Sequence, residues 1–171
     1  NQWFDSPAET QAAQSLINAG ADILFQNTDS SAVLQTAEKA GKYAFGWDSD
    51  MSHYGPKAHL ASAVINWGPY YIKATKQVLE GSWTNSSSWW GVKEGAIDLV
   101  SINPIVKKKK KKQIETIKAG LKDGSFNIWK GPIKDQEGKE LLAKDRVADD
   151  KFLSTLNTYV QGVEGKVPSS K

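Results

Sequence analysis

From residue 6 to residue 47 the chain alternates helical and extended patterns so closely that few arrangements other than a parallel sheet with crossover helices can accommodate it. Ser6-Pro7-Ala8-Glu9 reads as a capping box, with Ser6 as N-cap, Pro7 at the first helical position and Glu9 reaching back. Ala8, Ala12, Ala13, Leu16 and Ile17 then recur at helical spacing until Gly20. Residues 21–26 read as a buried strand. Asp29 or Ser30 opens a second helix carrying Ala32, Val33, Ala37 and Ala40, closed by Gly41, and residues 42–47 form the next strand. Beyond a loop at 48–58, the pattern predicts a strand over 60–65, a helix over 69–80, a polar loop over 82–88 and a strand over 95–102. A helix through Ile114, Ile117 and Leu121 follows, ending near Gly124. A short strand at 126–129, a hairpin turn at Asp135-Gln136-Glu137-Gly138 and a last helix at 149–159 complete the reading.

Composition narrows the function. With 39% apolar residues and seven Trp, the chain has material for a core. There is no cysteine, which removes disulfides, thiol catalysis and Cys-based zinc sites. The formal charge of +3 comes from an unbroken run of six lysines at 107–112; without it the balance is −3. The remainder lacks the basic stripe that nucleic acid requires, so no nucleic-acid partner is expected. The run itself reads as an artefact or a solvated charge run with no part in function. No phosphate loop and no GxGxxG occurs, and no GxSxG elbow supports a Ser/His/Asp reading. His53 and His59 lack metal-ligand spacing and read as surface histidines. No metal or cofactor is expected.

The ends of the apolar runs carry the functional signal. Asn1-Gln2-Trp3-Phe4-Asp5, Phe25-Gln26-Asn27-Thr28-Asp29, Phe45-Gly46-Trp47-Asp48-Ser49-Asp50, Ile65-Asn66-Trp67 and Trp89-Trp90-Gly91 each place aromatic, amide or carboxylate groups where an apolar stretch stops. In an open α/β sheet, ligands bind in the crevice outside the carboxyl ends of the strands. Flat aromatic faces beside hydrogen-bonding groups suit a small, flat, polar ligand such as a nucleobase or a sugar. The candidate ligand-binding residues are Trp3, Phe4, Gln26, Asn27, Trp47, Asp48, Asn66, Trp67 and Trp90. Any one of the aromatics taken alone is better assigned to the core; together, two or three of them line a cleft. Asp48 is singled out as a carboxylate accepting ligand N–H or O–H groups, although an Asp after Gly46-Trp47 is also a common turn former. Asp50, two residues on, is expected to cap its loop. Trp83 and Trp129 are assigned to packing.

Five segments in order resemble the basic membrane protein family, the purine-nucleoside-receptor-like substrate-binding proteins of bacterial ABC importers. They are Trp3-Phe4-Asp5-Ser6-Pro7-Ala8-Glu9, Gly20-Ala21-Asp22-Ile23-Leu24-Phe25-Gln26, Gly46-Trp47-Asp48-Ser49-Asp50, Gly131-Pro132-Ile133-Lys134-Asp135-Gln136-Glu137-Gly138 and Tyr159-Val160-Gln161-Gly162-Val163-Glu164-Gly165. The resemblance implies a type I periplasmic-binding-protein fold, α/β with helices on both faces of a parallel sheet. Residues 1–102 would form the second lobe, and 103–171 would return towards the first lobe, whose opening part is expected to be missing from this chain. It also implies an extracytoplasmic location, with a lipid anchor on a segment outside this chain, and an ABC permease as partner. Nucleoside-binding members resemble Gly-Val-Asp-x-Asp, where this chain has Trp47, and carry a lysine at the position of Ile65. These departures point to a free purine base such as adenine. A sugar receptor of the same fold and, less favoured, a nucleoside-cleaving enzyme are the alternatives.

Overall fold

The computed structural model describes residues 3–167, which fall into two compact units dividing between Lys122 and Asp123. Asn1 and Gln2 of the first strand-end motif lie outside the described residues. The first unit holds a four-stranded sheet in the order β1 (Ile23–Leu24), β2 (Tyr43–Asp48), β3 (His59–Ile65) and β4 (Ile97–Val100). β1 to β3 run parallel, as the alternation predicts. β4 departs from the all-parallel expectation by pairing antiparallel with β3, Ile65 opposite Ile97. The physical reason is the long irregular segment, residues 80–96, after helix α3 (Gly68–Leu79). One crossover helix returns the chain to the amino-terminal edge, but residues 80–96 carry it back again, so β4 enters from the carboxyl-terminal edge. The amide of Asn66 donating to Ala96 O at 2.7 Å fixes that entry.

Helix α1 (Ser6–Asn18) starts one residue earlier than its sequence signature suggests. Asp5, not Ser6, is the N-cap: its Oδ1 accepts the Ala8 amide at 3.0 Å, and Glu9 Oε1 accepts the Asp5 amide at 2.9 Å. A carboxylate satisfies an orphan amide more strongly than a hydroxyl, so Asp5 takes the position. Glu9 is buried and its other oxygen accepts the hydroxyls of Thr28 at 2.8 Å and Ser30 at 2.6 Å. One carboxylate thus ties the start of α1 to the turn before α2 (Ala32–Lys39). Burial pushes this carboxyl up, but the donors Ser30, Asp5 N–H and Thr28 together hold it below the usual glutamate value. α1 and α2 cover one sheet face, where Ala13, Leu24, Val33, Leu34, Ala37, Ala44, Met51 and Ala58 form the core.

The opposite face receives helix α4 (Lys108–Asp123), whose Ile114, Ile117 and Leu121 lie with Ala63, Ile97 and Leu99 around one hollow, beside the Lys118–Asp98 ion pair at 2.6 Å. The first compact unit runs to Lys122 and so takes in all of α4 but its last residue. The second unit contains the expected hairpin, β5 (Ile133–Lys134) with β6 (Glu140–Leu142), and helix α5 (Asp150–Thr155). Asp135 Oδ1 accepts the amides of Glu137 and Lys139, building the turn. Residues 126–129, expected as a strand, are irregular and turn. Asn127 Oδ1 accepts the Trp129 amide there, a local bond that competes with extended pairing.

His59 corrects a further expectation, because it is only 2% exposed rather than a surface residue. Ser62 Oγ accepts the Met51 amide at 3.0 Å and lies 2.8 Å from His59 Nε2. The single hydroxyl proton can then be donated to a neutral imidazole. Burial pushes the His59 pKa down, partly offset by the Asp50 carboxylate. The sign for stability follows. Below about pH 6.5 the unfolded chain takes up a proton at His59 that the native state resists, so stability falls as pH falls. Glu9, Asp50 and Asp98, all held below the usual carboxylate range, add a second loss in stronger acid. The urea midpoint should decline below about pH 6.5 and more steeply below about pH 4. A midpoint that rises between these values would contradict the assignment of a neutral buried imidazole.

Candidate functional site

The carboxyl ends of β1, β2 and β3 lie along one edge of the sheet, with neighbouring strands ~4.8 Å apart. That edge brings together Gln26 and Asn27 after β1, Trp47 and Asp48 at the end of β2, and Asn66 and Trp67 after β3. Asp48 is exposed, with a positive φ of 66°, a conformation that Asp tolerates better than most residues. Ser49 N–H donates to Trp47 O and turns the chain sharply behind it. Asp50 instead binds its own surroundings: Oδ1 accepts the Ser52 amide and Oδ2 the Ser101 hydroxyl. The Ser101 bond is the leading cause that lowers its pKa.

The candidate residues are distributed among separate hollows along this edge. Asn66, Trp67 and Trp90 share a hollow of about 460 Å³ with Ile65, Tyr70 and Ile97. Such a volume lies within the range for small-molecule sites. Tyr70 meets Trp90 edge-to-face at 5.7 Å, Trp67 stacks on Tyr71 at 5.9 Å, and Lys73 Nζ sits 4.9 Å from the Trp90 ring centre. Trp67 remains 55% exposed, so its face is open to a ligand. Ser86, Ser87 and Ser88 line the polar side of the hollow. The Gly91 amide donates to Glu94 at 2.8 Å, which fixes the backbone just after Trp90 and is the main cause holding the Glu94 carboxyl below its usual value.

Phe4 lines a second hollow with Asp29, Ser30, Ser49, Met51 and Tyr54. Trp3 is exposed beside it, and its carbonyl accepts the Asp29 amide at 2.9 Å. Gln26 and Asn27 border a third, smaller hollow beside Glu9 and Val33. Gln26 Nε2 donates to Phe45 O at 3.0 Å, so one end of that amide is engaged in joining β1 to β2. Trp47 is half-buried opposite Ala63 of β3. Sequence reasoning missed Tyr70 and the three serines. The spacing of Trp67, Tyr70 and Tyr71, three and four apart, was the available signal for an aromatic helix face. Trp83, assigned to packing, is 51% exposed because the segment after α3 is irregular and exposed. Trp129 is half-buried and borders a hollow with Ile128, Pro132 and Val160. Among the described residues, no group of three His, Cys, Asp or Glu is placed to hold a metal ion.

The family model described as ABC transporter substrate-binding protein PnrA-like matches residues 1–127. The chain belongs to this family. It is 44% identical over 168 residues to a purine-binding protein of Brucella abortus, covering 98% of this chain and 48% of that one. It is 30% identical over 169 residues to a Haloferax volcanii protein named for glucose binding in an ABC transporter, covering 99% and 41%. The chain therefore spans about half the length of the curated relatives it matches. Among solved structures it is similar to a transcriptional activator of the comK gene from Bacillus halodurans, with a TM-score of 0.67 at 19% identity over 73% of this chain and 45% of that one. An ABC transporter solute-binding protein of Aeropyrum pernix gives 0.60 at 14% identity over 90% and 48%. At these identities the structural likeness shows the fold, an α/β arrangement of the type I periplasmic-binding-protein kind with a mixed, mainly parallel sheet. No helix among the described residues is long and apolar enough to cross a membrane.

Proposed function

We propose that this chain supplies one wall of the ligand cleft in an extracytoplasmic solute receptor that takes a purine base, adenine-like, and passes it to a membrane permease without chemical change. The observation that carries the reading is the hollow of Asn66, Trp67, Tyr70 and Trp90 at the carboxyl edge of the sheet. Indole and phenol faces stack on any base, worth about 1–3 kcal/mol per base in nucleic-acid sites. Asn66, Asp48 and Asn27 on neighbouring strand ends offer both donors and acceptors for the edge of a base. The purine-binding relative from Brucella supports the ligand class.

On this reading the second wall belongs to a first lobe outside these residues, as the greater length of the relatives suggests. Lobe closure would exclude water and present one shape to the permease. Calorimetric titration of a full-length protein carrying this chain should show adenine binding tightly and glucose not at all, while the 171-residue chain alone binds adenine weakly. Asp48→Ala in the full-length protein should weaken adenine by about 1–3 kcal/mol, the cost of leaving a buried partner unpaired. Unchanged affinity in a folded variant removes Asp48 from the site. A second reading, a sugar receptor, is favoured by Ser86, Ser87 and Ser88 in the hollow and by the name of the Haloferax relative. Tight glucose binding would establish it in place of the purine. Release of free base from inosine or adenosine would instead make the protein a nucleoside-cleaving enzyme.

A further inference from the structure

The lysine run 107–112 is not a disordered tail but the lead-in and opening turn of helix α4, with no acidic residue in that turn. At 100° per residue, Lys110 and Lys111 fall on the side of Ile114, Ile117, Lys118 and Leu121, the side turned to the sheet. Lys111 is half-buried, its Nζ 3.5 Å from Ile102 O, while Lys110 stays exposed. Lys108, Lys109 and Lys112 fall on the opposite side and are exposed. Among the described residues the ion pairs are made by Lys42, Lys76, Lys118 and Lys130, and none by residues 107–112. The charges repel one another, and the positive end of the helix dipole adds to the same field. Water and salt screen such an arrangement in part, and an anionic counterpart from outside would relieve it further.

We propose that this outward lysine face is an electrostatic contact for the anionic phospholipid headgroups of a membrane surface. Lysines are hydrated point charges on flexible stems, suited to a diffuse negative surface rather than to the forked grip on one phosphate that arginine provides. Attraction to such a surface adds up lysine by lysine within a Debye length. Nucleic acid is disfavoured because the rest of the chain carries a net −3 and offers no second basic stripe. The inference does not depend on which ligand the cleft takes.

The test is co-sedimentation with vesicles of phosphatidylcholine containing phosphatidylglycerol, compared with phosphatidylcholine alone, at low and high salt. Three proteins are compared: the unaltered one, the triple variant Lys108→Gln, Lys109→Gln, Lys112→Gln, and a control with Lys139, Lys144 and Lys151 changed to Gln. Glutamine keeps helix propensity, and circular dichroism checks that helicity is retained. The unaltered protein should bind only the anionic vesicles and release in high salt. Each lysine removed from α4 should lower partitioning about fivefold, so the triple variant loses about a hundredfold while the control loses far less. Adenine affinity should be the same in all three. Absence of binding to anionic vesicles, equal loss in the control, or tighter binding to a single-stranded oligonucleotide than to vesicles would each overturn the proposal.

Discussion

Gly46→Ala should lower the stability of the first unit by about 3–5 kcal/mol, a large part of the 5–15 kcal/mol that holds an ordinary domain together. Gly46 is buried in the middle of β2, and a Cβ there would collide with Ser62 Oγ and stand 2.9 Å from Met51 Cβ and 3.1 Å from Ser62 Cβ. The Ser62 hydroxyl cannot simply turn aside. It accepts the Met51 amide and meets His59 Nε2, so moving it leaves two buried polar groups without partners. Relief through the backbone would have to shift β2 against β3 at the paired positions Gly46 and Ser62. Urea denaturation should show a much lower midpoint. The variant Ser62→Ala alone should also destabilise, but combined with Gly46→Ala the losses should fall short of additive, since one of the clashing atoms is gone. A midpoint within a few tenths of a molar of the unaltered protein would show that β2 and β3 are not packed this closely.

On the proposed reading, Trp90→Ala in a longer protein carrying this chain should reduce affinity for adenine by about ten- to a hundredfold, the loss expected for one stacking face. Trp90 forms a wall of the hollow that Asn66, Trp67 and Tyr70 share, and its removal also frees Tyr70 and the Lys73 ammonium from their ring contacts. Stability should change much less than affinity, because the segment before residue 90 is irregular, exposed and outside the core. Trp90→Phe, which retains a ring, should recover most of the binding. If affinity and the unfolding midpoint fall together in both variants, Trp90 is a packing residue and the site lies elsewhere along the edge. The hollow of Phe4, Asp29, Ser49 and Tyr54 would then be the next to test.

Much of this architecture is written in local signals. Gly20, Gly41 and Gly81, all at positive φ, end three helices as the punctuation of the sequence requires. Pro7 and Pro69 stand in the first turns of α1 and α3. The apolar runs of β2 and β3 occupy nearly the expected residues, and their carboxyl ends carry the polar and aromatic groups that mark a crevice. These features are legible because helix caps, chain reversal and strand periodicity depend on neighbours a few residues away. The hairpin turn at Asp135-Gln136-Glu137-Gly138 is legible for the same reason: one side chain satisfies amides two and four residues on.

What depends on distant partners could not be read in this way. Nothing near Ile97 announces that β4 runs against its neighbours; the path of residues 80–96 decides it. His59 reads as a surface histidine until Ser62 Oγ, itself accepting the Met51 amide, meets its buried ring. Glu9 has the spacing of a capping residue, yet Thr28 and Ser30, 19 and 21 residues later, make it a buried hub. The site divides along the same line. Sequence alone placed amides, a carboxylate and indoles just after β1 and at the ends of β2 and β3, where the apolar runs stop, but Trp90 follows an irregular segment rather than a strand. Only the tertiary structure distributed them among separate hollows, engaged Gln26 and Asp50 in holding the scaffold, and set Tyr70 and the serines beside Trp90. Side-chain direction is fixed by sheet register and by the loops packed over each strand end, and both arise from contacts far apart in the chain.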